Sequence, residues 1–238
     1  MNTEYAKNKY YKDDEIKKAK ELANGFYSRL YTPQLFRSGN KKLGSNVAIF
    51  DLPSIVTCKY QCNGCYALKA ERLYKNTRLH RAFHYEIVKQ ALEDNNKYRY
   101  LFDYINVELR RHAMLYALPV VRIHASGDLF CNKYLDFWLA IIAHNQDIKF
   151  YTYTKMYDND FIDKTNALFD NFNIVKSLVD DKYINYGDLE YLEDVTKILD
   201  SKKQTYFVCG YGHSDNKLEC MGNCTQCLHC SNVLFVKH

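Results

Sequence analysis

Short β-forming runs recur along this chain, and a stretch with helical spacing separates each from the next. That alternation restricts the fold more than any other feature. The runs are Asn46–Leu52, Val120–His124, Ile148–Thr154, Ile174–Val179, Thr205–Cys209 and Val233–Val236. Between the first two, Phe83, Ile87, Ala91 and Leu92 fall on one helical face, with Asn76 as the expected N-cap. A second helix is expected over Tyr100–Leu118, with Phe102, Ile105, Leu109 and Leu115 inward and Pro119 ending it. Lys133–Asn145 carries Leu135, Trp138, Leu139 and Ile142, and Phe161–Asp170 and Leu189–Asp200 follow as further helices. Strands joined through helices pair in parallel. About six strands are too few for a closed eight-fold barrel. The expected class is therefore α/β, a partial (β/α)6-type barrel with a parallel sheet and a C-terminal cysteine-rich metal-binding segment. Residues 1–45 form an N-terminal helical extension with a helix near Asp14–Leu30, residues 46–208 the partial barrel and 209–238 the cysteine-rich segment, all in one compact domain.

Apolar residues make up 47% of the chain, enough for a sizeable core. The longest apolar run, Phe137–Ala143, is too short to span a bilayer. Met1–Lys20 is polar and charged, without the apolar stretch of a signal peptide, so no membrane partner and a cytoplasmic location are expected. A net charge of +5 permits nucleic acid as a partner without demanding it. The 22 tyrosines can stack on bases or fill a core, and a low-GC genome enriches Tyr with Asn, Lys and Ile.

Nine cysteines in a cytosolic chain point to metal or redox chemistry rather than disulfides. They are clustered: Cys58, Cys62 and Cys65 in one loop, Cys209, Cys220, Cys224, Cys227 and Cys230 near the end, and Cys131 alone. The C-x3-C-x2-C loop follows the first expected strand of the sheet, at the edge where open parallel sheets bind ligands. Three thiolates there can hold three corners of a cubane 4Fe–4S cluster and leave the fourth iron for chemistry. Zinc is the other metal such thiolates take, with a fourth ligand from Cys131 or His124. Ser126-Gly127-Asp128 and Thr152, Thr154 and Lys155 are delivered to the same edge by later strands.

This arrangement resembles the radical S-adenosylmethionine (SAM) superfamily. The resemblance implies that Cys58, Cys62 and Cys65 ligate a 4Fe–4S cluster whose free iron chelates SAM. An electron from the cluster then splits SAM into methionine and a 5′-deoxyadenosyl radical that abstracts hydrogen. Ser126, Gly127 and Asp128 stand at the place of the superfamily's Gly-Gly-Glu segment, which holds the SAM amino group. The aromatic residue usual before the third cysteine is Gly64 here, with Tyr66 on the other side. Tyr66, Thr152 and Thr154 complete the expected SAM-binding set. A cellular reductant such as flavodoxin or ferredoxin would supply the electron to an unknown substrate's enzyme.

A closer resemblance covers roughly residues 40–235. Lys42-Leu-Gly, Phe50-Asp-Leu-Pro53, Thr57-Cys58, Cys65-Tyr-Ala67, Ile123-His-Ala-Ser-Gly-Asp128, Phe150-Tyr-Thr-Tyr-Thr154 and the C-terminal cysteines are similar to the phage gene product 88 family. It implies a phage or mobile-element origin, hence the host cytoplasm, rather than a particular reaction.

In the C-terminal group, the C-x2-C-x2-C of Cys224, Cys227 and Cys230 has ferredoxin spacing for a second, auxiliary cluster. Cys209 is the expected fourth ligand and Cys220 the alternative. Zn held by four thiolates is the competing reading. Two functions stay open: a radical-SAM-like enzyme, and a non-enzymatic iron–sulfur or zinc protein binding nucleic acid in phage or plasmid replication. His80 and His84 lack the Glu of a zinc-protease motif. His124 and Cys131 fill the core or line the pocket, and Arg72, Arg78 and Arg81 form a solvated face or contact phosphate.

Overall fold

Acidic side chains open the first helix. In α1 (Asp13–Tyr27), Asp13, Asp14 and Glu15 place negative charge against the positive end of the helix dipole. Its apolar stripe, Ile16, Ala19, Ala23 and Phe26, is buried against later helices. The computed structural model describes residues 5, 8–39, 43–58, 65–177, 207–209 and 232–235. Within them follow β1 (Arg37–Ser38), β2 (Val47–Phe50), α2 (Tyr66–Leu73), α3 (Lys75–Glu93), α4 (Asn95–Leu115), β3 (Val120–Ile123), α5 (Asn132–His144), β4 (Lys149–Thr154), α6 (Asn159–Leu168), β5 (Phe172–Ser177), β6 (Phe207–Cys209) and β7 (Asn232–Phe235).

Local chemistry sets several boundaries. Asp94 caps α4 by accepting from the backbone N–H of Asn96 and Lys97 at 2.8 and 3.0 Å. Asp158 caps α6 at Phe161 N, 2.8 Å away. Asn76 is not the cap of α3: a single extended residue, Tyr74, separates α2 from α3, so the helix is under way before Asn76. The short helix α2 has no counterpart in the sequence reading.

The sheet order is β1-β2-β3-β4-β5-β7-β6. β2, β3, β4 and β5 lie side by side in chain order and pair in parallel, with Phe50 level with Ile123 and Ile123 level with Thr152. β1 pairs antiparallel with β2 at one edge. The last strand in sequence, β7, inserts between β5 and β6. The protein is thus a mixed α/β fold on a mostly parallel sheet, as expected. The described pairings make an open sheet bounded by β1 and β6. The expected helix at Leu189–Asp200 and the cysteine-rich segment, apart from Cys209 and residues 232–235, lie outside the described residues.

Strands in sequential order with right-handed crossovers bring their helices to one face. There Phe50, Val121, Ile123, Phe150 and Ile174 meet α1, α3 and α5 in one apolar core, so the N-terminal helix shares the core of the sheet. Trp138 is fully buried, its ring 5.4 Å from Phe50 and 6.5 Å from Phe36. Ile105 and Leu109 are buried as expected. Leu115 is not: it is 74% exposed, because the last turn of α4 lines a surface groove rather than the core. Among the described residues no helix is long and apolar enough to cross a membrane.

Trp138→Ala should cost about 3–5 kcal/mol, the usual loss for a large aromatic truncated in a packed core. Urea unfolding of the two proteins measures it.

Candidate functional site

The carboxyl ends of the parallel strands open into three loops. β2 leads into Asp51–Cys58, β3 into His124–Asp128, and β4 into Lys155 and Met156. Asp51 joins the first two. Its Oδ1 accepts from the backbone N–H of Ala125 at 2.8 Å and Ser126 at 3.0 Å. Its Oδ2 accepts from Arg37 Nε and Nη2 at 3.0 and 2.6 Å, and Arg81 Nη2 stands 3.9 Å away. Burial alone would raise the Asp51 pKa; Arg37 and Arg81 outweigh it and hold the carboxyl below its ordinary value. The backbone of Leu52 also donates to Ser126 O at 2.9 Å.

Gly127 is the closest approach between these loops. Its φ is +93°, and a Cβ there would lie 2.7 Å from Leu52 Cβ and from Thr57 Oγ1. Only glycine fits both demands. Asp128 follows, fully buried. Its Oδ1 accepts from Thr154 Oγ1 at 2.6 Å and Leu129 N at 2.7 Å, and its Oδ2 from Lys155 N at 3.0 Å. The Cys58 Sγ lies 4.0 Å from that same Oδ2. Burial raises the Asp128 pKa despite these donors.

A buried charge network fixes the turn at Ser54 to α1, α2 and α3. Glu71 on α2 accepts from Ser54 N at 2.9 Å and Ser54 Oγ at 2.6 Å, from Asn8 Nδ2 at 2.7 Å and from Arg81 Nη1 at 2.9 Å. Arg78 binds Glu15 through Nε and Nη2 at 2.8 and 2.6 Å and donates to Glu71 O. Arg78 and Arg81 are therefore buried structural cations, not a solvated or phosphate-binding face; only Arg72 of that group is exposed. His84 is buried too, stacked on Phe50 at 4.3 Å, with Nδ1 3.0 Å from Asp51 O.

His124 takes a left-handed backbone with φ 69°, uncommon for a residue with a side chain. Its Nε2 lies 2.8 Å from the buried Tyr134 hydroxyl, and burial pushes its pKa down to about 3. The imidazole is thus a neutral member of the core that borders the loop. Ser126 Oγ is buried and has no hydrogen-bond partner among the described residues.

The expected site residues divide accordingly. Cys58, Ser126, Gly127, Asp128 and Thr154 come together at one sheet edge. Thr152 sits one turn of pleat deeper, its Oγ1 donating to Ile123 O at 2.7 Å. Cys65 is half-buried at the N-cap of α2, and Cys131 is half-buried at the N-cap of α5; with Cys58 both stand as thiols. Tyr66 opens α2 and Cys209 ends β6, each placed by its backbone. Cys62, Cys220, Cys224, Cys227 and Cys230 lie outside the described residues. Among the described residues no group of three metal-ligating side chains is assembled, and the loop's middle cysteine is not one of them.

The model of one family, gene product 88, matches residues 13–232. The chain belongs to the gene product 88 family. No curated protein and no solved structure matches it. The match runs over both cysteine groups of this gene product 88 protein and supplies no link to the radical SAM superfamily. Asp51, Glu71, Arg37 and Arg81, which position the loops, were not candidates from sequence. Charged residues carry no periodic signal, and their pairing spans up to several dozen positions.

Two outcomes are expected. Asp51→Asn should destabilise the fold by about 3 kcal/mol, the low end of the cost of breaking a buried pair, because the buried Arg81 keeps Glu71 while the half-exposed Arg37 loses its acid. Because the folded pKa of Asp51 is below its unfolded value of about 3.9, its contribution is present above that pH and lost as pH falls through the folded value. Acid unfolding curves should accordingly lose part of their steepness below about pH 4 in the variant. Gly127→Ala should cost about 1–3 kcal/mol through overpacking alone, read by urea denaturation.

Proposed function

We propose that this gene product 88 protein is a phage or mobile-element iron–sulfur protein of radical-SAM type. In this reading Cys58, Cys62 and Cys65 hold a 4Fe–4S cluster, and Cys209 with Cys224, Cys227 and Cys230, or Cys220 in its place, holds an auxiliary cluster. The observation that carries the reading is the meeting of Cys58 Sγ with Asp128 Oδ2, 4.0 Å apart, at the carboxyl end of a parallel sheet. Two segments 70 positions apart in sequence, each expected to serve one site, converge there. The sequential order of β2 to β5 is also that of an opened barrel.

The donor set fits a thiophilic metal, since Cys58 and Cys65 are thiols on one short loop. A cluster with SAM on its open iron would supply one-electron reductive cleavage. The chain's own residues have definite tasks beside it. Asp51 fixes the backbone of Ala125 and Ser126. Thr154, Lys155 and Leu129 aim the Asp128 carboxylate at the cysteine loop, where a carboxylate suits an ammonium group. The hydroxyl of Ser126, without a partner among the described residues, offers a ligand one more hydrogen bond.

Anaerobic reconstitution, iron and sulfide analysis and a 5′-deoxyadenosine assay under dithionite test the reading. A brown protein that cleaves SAM is expected. Cys58→Ala, Cys62→Ala and Cys65→Ala should each abolish the absorbance of the first cluster and leave the C-terminal metal. Stoichiometric zinc in a colourless protein would replace the reading with a zinc-binding one, and a brown protein inert to SAM would remove the enzymatic part.

A further inference from the structure

A groove of about 370 Å³ lies on the β1 edge of the sheet, between α4 and the extended segment Thr32–Ser38. Its helical wall is Tyr104, Glu108, Arg111, His112, Leu115 and Tyr116. Tyr104 to Leu115 share one helix face over about 16 Å of the axis, and Tyr116 follows at the extended C-cap. The acid in this wall is already used: the Glu108 carboxylate accepts from Leu35 N at 3.0 Å and Phe36 N at 3.2 Å, so it fastens the two walls together. Tyr104 does the same through a 2.6 Å bond from its hydroxyl to Pro33 O. His112 is fixed by Asn46 O at 2.9 Å, and its ring lies 4.9 Å from that of Tyr116.

Arg111 differs from its neighbours. It is exposed and, among the described residues, makes no hydrogen bond or ion pair. It lines the groove with the ring pair, and its charge acts on Glu108, whose carboxylate the backbone of Leu35 and Phe36 already holds. Cations and aromatic rings continue to alternate toward the start of α4. Arg29 lies over the Tyr100 ring at 5.7 Å and Lys97 over the Tyr27 ring at 5.2 Å. Along α4 Arg110 is held by Asp147 at 2.8 Å, which leaves Lys97, Arg99 and Arg111 as cations against Asp103 and the occupied Glu108.

We infer that this groove binds single-stranded nucleic acid, with Arg111 on a backbone phosphate and the His112–Tyr116 ring pair stacking a base. Stacking platforms interleaved with cations are what an unpaired strand requires. A duplex presents no free base face to the rings. Cation–aromatic pairs beyond Tyr104 serve a linear polyanion better than a single nucleotide. The inference does not depend on the metal content of the cysteine loop.

Fluorescence anisotropy of the full chain with labelled twelve-nucleotide oligo-dT and oligo-U, titrated across salt concentration, tests it. Saturable binding is expected, with log affinity falling against log salt by about 0.7 for each phosphate contacted. Tyr116→Ala should weaken binding about tenfold, and Arg111→Glu should weaken it and flatten the salt dependence. Lys18→Glu, on the exposed side of α1, should bind as the parent does. Circular dichroism establishes that each variant is folded. Absence of binding, an Arg111→Glu variant that binds unchanged, or preference for an extended acidic peptide over both oligonucleotides would overturn the inference.

Discussion

One carboxylate organises the carboxyl edge of this sheet. Asp51 follows a buried strand, and its two oxygens are divided between two tasks. One receives the backbone N–H groups of Ala125 and Ser126; the other meets Arg37 from the sheet edge and Arg81 from α3. A buried charge is tolerated only when matched and hydrogen-bonded, so the position of each partner is dictated by the others. The loop after β3, the edge strand and the long helix are thereby held to a common point. The Glu71 carboxylate repeats the device one layer back, where it fixes Ser54 and shares Arg81.

The strands were legible because a buried parallel strand is a short continuous run of β-branched and aromatic residues. Val120–Ile123 and Lys149–Thr154 fall within a residue of the runs that announce them. Amphipathic helices were equally plain, as Ile105 and Leu109 show. What the pattern could not deliver was strand order at the far edge. Nothing in the residues of β6 and β7 says that the later strand is the inner one. The break between α2 and α3 at Tyr74 also carries no proline or glycine to mark it.

The site was legible in part for a related reason. Cysteine spacing and the Ser-Gly-Asp run are local signals, and the fold brings Cys58 and Asp128 together as placement at strand ends requires. The residues that hold them in place are ordinary arginines, glutamates and an aspartate whose partners lie far along the chain. Arg78 and Arg81 are the instructive case. In sequence they read as a surface cluster, yet both are engaged by Glu15 and Glu71 in the interior. A helix face with two arginines at i and i+3 is solvated by default and becomes interior only when facing acids arrive from elsewhere.

The interior placement of β7 has a consequence for biosynthesis. β5 and β6 do not pair with each other; each pairs with β7. Until Asn232–Phe235 has been translated, β5 and β6 each lack the strand with which they pair here. Such edges invite pairing with other polypeptides. This gap in the sheet closes only on arrival of a segment that is translated after both of its neighbours, so the two edges stay open to misassembly until then.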